Sequence, residues 1–362
     1  MASKKTPTAG KSADEAKIAR ALRKLNASLC KKRHFIGYAV GRKTRGGRRL
    51  PGLAAILFVS KKVPDRLLKP KDRLPTHVQV GSITVPTDVV QLAPLELVGN
   101  PAANQAKVRP LQGGVSISIC PNRDDDCPGM GTGGALVVDS QGGHYLLSAA
   151  HVMHPIASDV IQPDSLHGGH NHTKKQVGMM GGKAVYKYSP PRDNVGGVVA
   201  IAPAGIDAAM AEIIQAVATE IGLGAPQAPA AAVVGTPVQK SGARTGITEG
   251  EVAATHLNLQ NQAQKIVCRD MVKMKVPGWK ANTPMNGLFL VSPGTFGDAG
   301  DSGSLIMAGA STKAGTQALK NLGVPQNAAL GLLIANVPTS VGLLLVGQDI
   351  TLGLNALKVT LA

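Results

Sequence analysis

From His34 to the C-terminus, the apolar residues come in short runs of strand length, cut by glycine, proline and small polar residues. Runs this short do not build long helices, and the pattern points to a mainly β chain with many tight turns. His34–Gly41 and Leu53–Ser60 flank a basic turn (Arg42, Lys43, Arg45, Gly46, Gly47, Arg48, Arg49) and are expected to form a hairpin. Val78–Val80 and Ile83–Val90 suggest two further strands, with a short helix at Pro64–Leu68 between the pairs. Residues 94–110, rich in Ala, Pro and Asn, read as a connector, and Gly-punctuated runs continue beyond it. Asp207–Ala218 is expected to start helical, and Gly222–Pro237 to be a loop. Gly331–Ile334 and Gly342–Val346 enclose Asn336, Val337, Pro338, Thr339 and Ser340, which favours a hairpin over a membrane span. The expected organisation is an N-terminal arm at 1–33, a small α+β domain at 34–95, a connector at 96–110 and a β domain at 111–362.

Charge separates the front of the chain from the rest. The 362 residues carry 39 Lys+Arg against 22 Asp+Glu, a formal net charge of +17. Residues 1–73 hold 21 of the basic residues and only Asp14, Glu15, Asp65 and Asp72 as acids, so the other 289 residues are neutral. That argues against a uniformly basic nucleic-acid binder and for a neutral body with a basic front end. Aromatic residues make up 2% of the chain, leaving few platforms on which single-stranded bases could stack. In the arm, Ser12 and Glu15 form an S-x-x-E capping box, and Ile18, Leu22, Leu25 and Leu29 share one helical stripe. The plainer reading is a helix packed on the next domain with its cations solvated. The sharper one is a basic arm that binds an acidic partner, nucleic acid or an anionic surface.

The first residues are basic but lack the apolar stretch of a secretory signal, so a soluble, cytoplasmic protein is expected. Four cysteines, Cys30, Cys120, Cys127 and Cys268, are too few for a disulfide framework. Cys120 and Cys127 are close enough to bridge, yet a reduced pair is the expectation without a secretory signal.

Two motifs carry chemistry. In Gly297-Asp298-Ala299-Gly300-Asp301-Ser302-Gly303-Ser304 a serine lies among small residues on a tight turn, which exposes its hydroxyl. The N–H groups of Gly300 and Ser302 can converge there on the oxyanion formed when an acyl carbonyl is attacked. The second motif is a hairpin, Gly133–Val138 then Tyr145–Ser148, running through Ala149 and Ala150 to His151. Imidazole, with an unperturbed pKa of about 6.5, is the natural base for a serine hydroxyl at neutral pH.

Together, G-G-A-L-V-V…Y-L-L-S-A-A-H and G-D-S-G, in that order, resemble the trypsin-like (chymotrypsin-fold) serine peptidases. The resemblance implies a double β-barrel, peptide-bond hydrolysis and an acid between the two motifs. Asp159, Asp164, Asp193, Asp207, Glu212, Glu220, Glu249, Glu251, Asp270 and Asp298 are candidates. Asp207, in Gly205-Ile206-Asp207-Ala208-Ala209-Met210-Ala211, is the best match to the family's acid-bearing segment. Lys240-Ser241-Gly242-Ala243-Arg244-Thr245-Gly246 looks like the start of the family's second barrel. Ile36–Gly41, Phe58–Pro64, Pro86–Val90 and Arg109–Ile117 look like the front part of narrow-leaf-type trypsin-like proteins. Nothing in residues 1–30 shares the likeness.

In secreted members of that family, cleavage frees an N-terminus that pairs with the Asp beside the serine. Leu111-Gln112-Gly113-Gly114 invites the comparison, but Pro110 after Arg109 makes a poor cleavage site, so Asp301 is expected to be held by internal contacts. Phe296 stands where the family has its pocket base and offers no carboxylate for Lys or Arg, so a shallow or apolar substrate pocket is expected. His167, His170 and His172 with Asp164 have no recognisable zinc spacing and read as a surface loop. Asp124, Asp125 and Asp126 read as a solvated acidic turn rather than a calcium site.

The sequence thus implies a serine endopeptidase behind a small α+β domain and a basic helix. Its sites are Ser302 as nucleophile, His151 as base, Asp207 as orienting acid, and Gly300 and Ser302 as the oxyanion hole, with no cofactor or metal. A protein or peptide is the expected substrate, and a homo-oligomer is compatible with the chain. The competing reading is a weak or inactive peptidase-fold scaffold whose basic arm does the binding.

Overall fold

The arm is a helix, α1 (Thr8–Leu29), which begins before Ser12. Glu15 does not close a capping box. It is 2% exposed, and its carboxylate accepts from Val234 N at 3.0 Å and Thr255 Oγ1 at 2.7 Å, both in the second half of the chain. Ile18, Leu22 and Leu29 are buried with it, whereas Leu25 is 36% exposed. The apolar stripe therefore docks the helix, and most of its cations stay at the surface. In the computed structural model the described residues are 8–45, 48–92, 104–121, 127, 129–170, 174–180, 183–188, 193–215, 217, 223–259, 271–273, 275–339 and 342–362. Asp124–Asp126, His172, Glu220, Cys268, Asp270 and the first part of the connector lie outside them.

The front strands follow: β1 (Phe35–Gly41), β2 (Thr44–Arg45), β3 (Arg48–Arg49), β4 (Ala54–Val59), β5 (His77–Val80) and β6 (Ile83–Gln91). β1 and β4 form the expected antiparallel hairpin, and β6 adds to β4 in parallel. Pro64–Leu68 shortens to a single 3-10 turn, Asp65–Leu67.

Next come β7 (Val115–Cys120), β8 (Gly131–Gly133), β9 (Ala135–Asp139), β10 (His144–Ser148), β11 (Asp159–Ile161), β12 (Lys174–Met180), β13 (Lys183–Tyr188), β14 (Asn194–Ile201) and β15 (Ala209–Ile213). The helical expectation for Asp207–Ala218 is corrected by β15. Ala209 and Ala211 face the core while Met210 and Glu212 are more exposed, a period of two rather than 3.6. The C-terminal strands are β16 (Pro237–Gly242), β17 (Gly246–Leu259), β18 (Leu288–Ser292), β19 (Leu305–Ala308), β20 (Ala329–Thr339), β21 (Gly342–Asp349) and β22 (Val359–Leu361). Helices α2 (Lys313–Leu322) and α3 (Ile350–Leu357) lie among them.

These strands make two large sheets. One is an open half-barrel, β22-β9-β10-β15-β14-β11-β7-β8. In the other, β16-β19-β20-β21-β18-β17 closes into a six-stranded barrel through β16–β17 pairing. The chain is therefore mainly β, with the two barrel-type sheets expected of it. β17 also pairs with β1, Tyr38 opposite Asn258 and Gly41 opposite Ala254, so the front sheet continues the closed barrel. One core draws on all six strands of that barrel, including Val238, Val252, Phe289, Ile306, Leu330 and Leu345. A larger core joins the half-barrel to the front sheet, and a third seats α1 on Tyr38, Val40, Ala55 and Leu57. Gly331–Ile334 and Gly342–Val346 lie in the antiparallel pair β20–β21. No described helix is long and apolar enough to cross a membrane.

Cys120 and Cys127 are joined in a disulfide, against the expectation of a reduced pair. Their Cα atoms are 4.2 Å apart, and both cysteines are buried against Ile161, so the fold itself holds the two sulfurs together.

The docking of α1 is testable by denaturant melts. Leu22→Ala should cost about 2–5 kcal/mol, as for other buried leucines. Leu25→Ala, on the same stripe but half out of the contact, should cost less than about 1 kcal/mol. Equal losses would mean that the helix packs differently.

Candidate active site

Strand register puts His151 beside Asp207. β10 and β15 are antiparallel, with Ser148 opposite Ala209. Continuing past Ser148 on one strand and back from Ala209 on the other brings the two chain segments together just beyond the ladder. The Asp207 carboxylate grips His151 twice: Oδ2 is 2.7 Å from Nδ1, and Oδ1 accepts from the backbone N–H at 3.0 Å. With Nδ1 facing a carboxylate, the proton is assigned there, which leaves Nε2 as the acceptor nitrogen. The Asp207 side chain is 5% exposed and that of His151 18%.

Asp207 is itself fixed from behind. Its N–H donates to Gln348 Oε1 at 2.7 Å, while Gln348 Nε2 donates to the Gly205 and Asn286 carbonyls at 2.8 and 3.0 Å. Gln348 is 3% exposed, with every polar atom of its amide engaged. Sequence reasoning passed over it; its only signal was a polar residue directly after the apolar run Gly342–Gly347.

Ser302 lies on the turn that leads into β19. Its carbonyl accepts from Thr132 N at 2.9 Å, and Gly303 N donates to Leu333 O at 2.8 Å. A Cβ on Gly303 would run into Ser148 Oγ, the Thr132 carbonyl and Ala149 N, so the turn sits directly against the strand end that carries His151. Gly303 has φ +91°, which also favours glycine. Among the described residues Ser302 Oγ makes no hydrogen bond, and a bond from a serine nucleophile to its base need not be short in a substrate-free protein. Such bonds often tighten only when substrate is bound.

Gly300 has φ +100°, a conformation that side chains rarely adopt. Its carbonyl accepts from Thr132 Oγ1 at 2.9 Å, and that hydroxyl oxygen also accepts from Ala243 N at 2.9 Å. Thr132 thus ties the half-barrel to the serine turn and to the loop after β16. Among the described residues, neither Gly300 N nor Ser302 N donates to a protein acceptor.

Between those two N–H groups lies Asp301, with no exposed surface. Its Oδ1 accepts from Arg244 N at 2.8 Å and Thr245 N at 3.1 Å. Its Oδ2 accepts from Thr245 Oγ1 at 2.7 Å and Asp298 N at 2.9 Å, and lies 3.1 Å from Lys240 Nζ. Lys240 is fully buried as well. Burial pushes its ammonium below the ordinary lysine value, and the charge of Asp301 offsets part of that effect.

The other sequence candidates fall elsewhere. Phe296 is fully buried in the closed-barrel core, its ring centroid 5.9 Å from Lys240 Nζ, so it faces the core rather than an open substrate pocket. Its side chain is apolar and adjoins other apolar groups, which is reason enough for that placement. Asp193 pairs with Lys107 at 2.7 Å and accepts from His170 N at 3.0 Å. Burial alone would raise its carboxyl pKa, but these partners and Arg109 hold it below the ordinary value. Asp164 is buried, binds His167 Nδ1 at 2.8 Å, and caps the short turn Ser165–His167 by accepting from Leu166 N at 3.0 Å. Glu249 and Glu251 bind Ser311 and Arg49 at the surface.

No family model matches the chain, and no curated protein matches it. Among solved structures it is similar to Nocardiopsis protease, with 15% identity over 69% of this chain and 97% of that one, at a TM-score of 0.40. Cellulomonas bogoriensis chymotrypsin gives 16% identity over 69% and 97%, at 0.41. A glutamic-acid-specific serine protease gives 16% over 70% and 100%, at 0.39. The solved structures it resembles include serine proteases. Barrel and site stand on the pairings and hydrogen bonds described above.

The partners of Asp301 all come from within the chain. The Arg109 side chain is also engaged, donating to Val108 O and to Gln162 Oε1 and O, and Leu111 is fully buried. N-terminal sequencing of the purified protein should therefore find no chain beginning at Pro110 or Leu111. Such a chain would show that a processed terminus takes part in the fold.

Proposed function

We propose that the protein is a serine endopeptidase that hydrolyses peptide bonds through an acyl-enzyme. The observation that carries this reading is the double grip of Asp207 on His151, set beside the turn that bears Ser302. A carboxylate on Nδ1 holds the tautomer whose Nε2 can take a proton, and it stabilises the imidazolium that results. In the proposed reaction Ser302 Oγ attacks the substrate carbonyl while His151 Nε2 takes the hydroxyl proton. The C–N bond then breaks as His151 returns that proton to the leaving amine, and water reverses the sequence on the ester. The Gly300 and Ser302 N–H groups would hold the oxyanion in both halves, a contribution on the order of 3–4 kcal/mol per donor in comparable sites.

The residues assigned to chemistry lie in the neutral part of the chain, whereas the basic helix is docked by a buried stripe and a buried carboxylate. That favours catalysis over a reading in which the arm is the functional element. No cofactor enters the proposed steps, and the substrate is a protein or peptide.

A fluorophosphonate probe should label the wild type and neither Ser302→Ala nor His151→Ala. Asp207→Asn should slow labelling by about 10⁴-fold, the loss expected when the carboxylate no longer sets the tautomer. Equal labelling of all four proteins would remove the mechanism.

A further inference from the structure

The front sheet ends on a strand with one open edge. β5 is the last strand of its sheet and pairs with β6 alone, Val78 opposite Val85 and Val80 opposite Ile83. Just before this ladder Thr87 N donates to Thr76 O at 2.9 Å, so the directly bonded pairs fall at residues 76, 78 and 80. Pro86, opposite His77, has no N–H to give. His77 and Gln79 therefore turn their N–H and C=O groups away from β6, towards the open edge. Their side chains are exposed, whereas Val78 and Val80 are buried in the core under α1.

A groove runs beside this edge, between the β5–β6 turn and α1. Ala21, Leu25 and Val80 give it an apolar lining, and Lys17, Arg20 and Lys24 a basic one. The three cations recur at spacings of three and four, on one side of the helix, and span about 10 Å along its axis. All three are exposed. Lys17 meets Asp14 at 3.0 Å, while Arg20 and Lys24 form no ion pair among the described residues.

We propose that this groove takes an extended acidic segment of a partner protein, which adds a strand to β5 and sets alternate carboxylates against Lys17, Arg20 and Lys24. The docking is separate from the peptidase reading, since none of the residues assigned to chemistry borders the groove. Two features select this occupant. The edge offers donors and acceptors in turn, and another backbone satisfies both. A phosphate or a lipid headgroup would leave the carbonyls of His77 and Gln79 facing an anion. Alternate side chains of a strand lie on one face about 6.7 Å apart, so two carboxylates match the run of cations. Exposed charges beside an edge often serve only to keep other strands off. Here β5 carries no Lys, Arg, Asp or Glu of its own, and the cations stand on the helix next to it. They oppose a second copy, whose own cations would meet them, and attract an acidic strand. The surrounding field acts in the same direction, because the whole formal excess of +17 lies in residues 1–73.

The probe is a short fluorescein-labelled peptide in which Glu alternates with Val, read by anisotropy against the full chain. It should bind, more weakly as salt rises, and should slow hydrogen exchange at the His77 and Gln79 amides. The same peptide with Lys in place of Glu should not bind. A version N-methylated on its edge-facing amides, with its charge unchanged, should lose most of the affinity. Arg20→Gln together with Lys24→Gln should weaken binding about tenfold, and Arg20→Glu with Lys24→Glu should take the Lys peptide in place of the Glu peptide. Gln79→Pro removes an outward N–H and leaves the β6 ladder its bonds, so it should weaken binding while circular dichroism holds. Should that variant not fold, the N-methylated peptide and the exchange at residues 77 and 79 decide. No binding of the Glu peptide overturns the proposal, even where a DNA duplex or phosphatidylserine vesicles bind through the same cations. Equal binding by the N-methylated peptide, by a folded Gln79→Pro or by the Arg20 and Lys24 variants overturns it as well.

Discussion

Backbone pairing along a single strand governs the rest of the architecture. β17 has fourteen residues and spends them on three ladders. Its first part closes the six-stranded barrel on β16, its middle pairs with β18, and its last part accepts β1 from the front of the chain. Register in a sheet has period two, so a slip of one residue along β17 would turn its side chains to the opposite face in all three places. Register shifts at Val252–Ala254 and Ala254–Leu257 interrupt the β18 ladder between the end of β17 that closes the barrel and the end that takes β1. Barrel closure and the placement of the front sheet are thus one constraint.

The site depends on that constraint through short links. β16, held by β17, carries Lys240; the loop after it gives Arg244 and Thr245; and all three meet Asp301. Thr132 supplies the link to the half-barrel, binding both the serine turn and Ala243. The half-barrel contributes His151 and Asp207 through its register, and Gln348 of the closed barrel fixes Asp207 from behind. Each functional group is therefore held by an element of regular structure or by a buried polar partner, which keeps rotamers from wandering at the reacting atoms.

Much of this was legible in the sequence, for a physical reason. Ser302, His151 and Gly300 sit in local motifs where small residues are needed within a few positions, and such needs leave a mark on a single chain. Asp207 was legible as an acid among small apolar neighbours. The hairpins at 35–59 and 329–349 followed from short apolar runs around turn residues, although Asn336–Thr339, expected in the turn, belong to β20. Gln348 and Thr132 left no comparable mark, because their partners lie far away in sequence: 141 residues separate Gln348 from Asp207. Lys240 was visible as part of a motif, but its burial could not be seen before the turn it meets was in place. The burial of Phe296 in the closed-barrel core was not legible, because a position relative to serine says nothing about which way a ring points. The Cys120–Cys127 bond and the strand at 209–213 were decided by packing and pairing that local composition does not record.

The buried carboxylate of Glu15 also bears on the order in which the chain assembles. It lies in α1, yet its two partners are 219 and 240 residues further along. During synthesis the helix is made first and can lie on the front hairpin, but its acid must remain hydrated until Val234 and Thr255 emerge. β1 likewise waits for β17, with one edge unpaired. Contacts of such separation slow folding, and an exposed edge in the interval invites pairing with the wrong strand. The concentration of positive charge on the earliest part of the chain then acquires a second meaning: mutual repulsion would keep nascent copies apart while that edge is open.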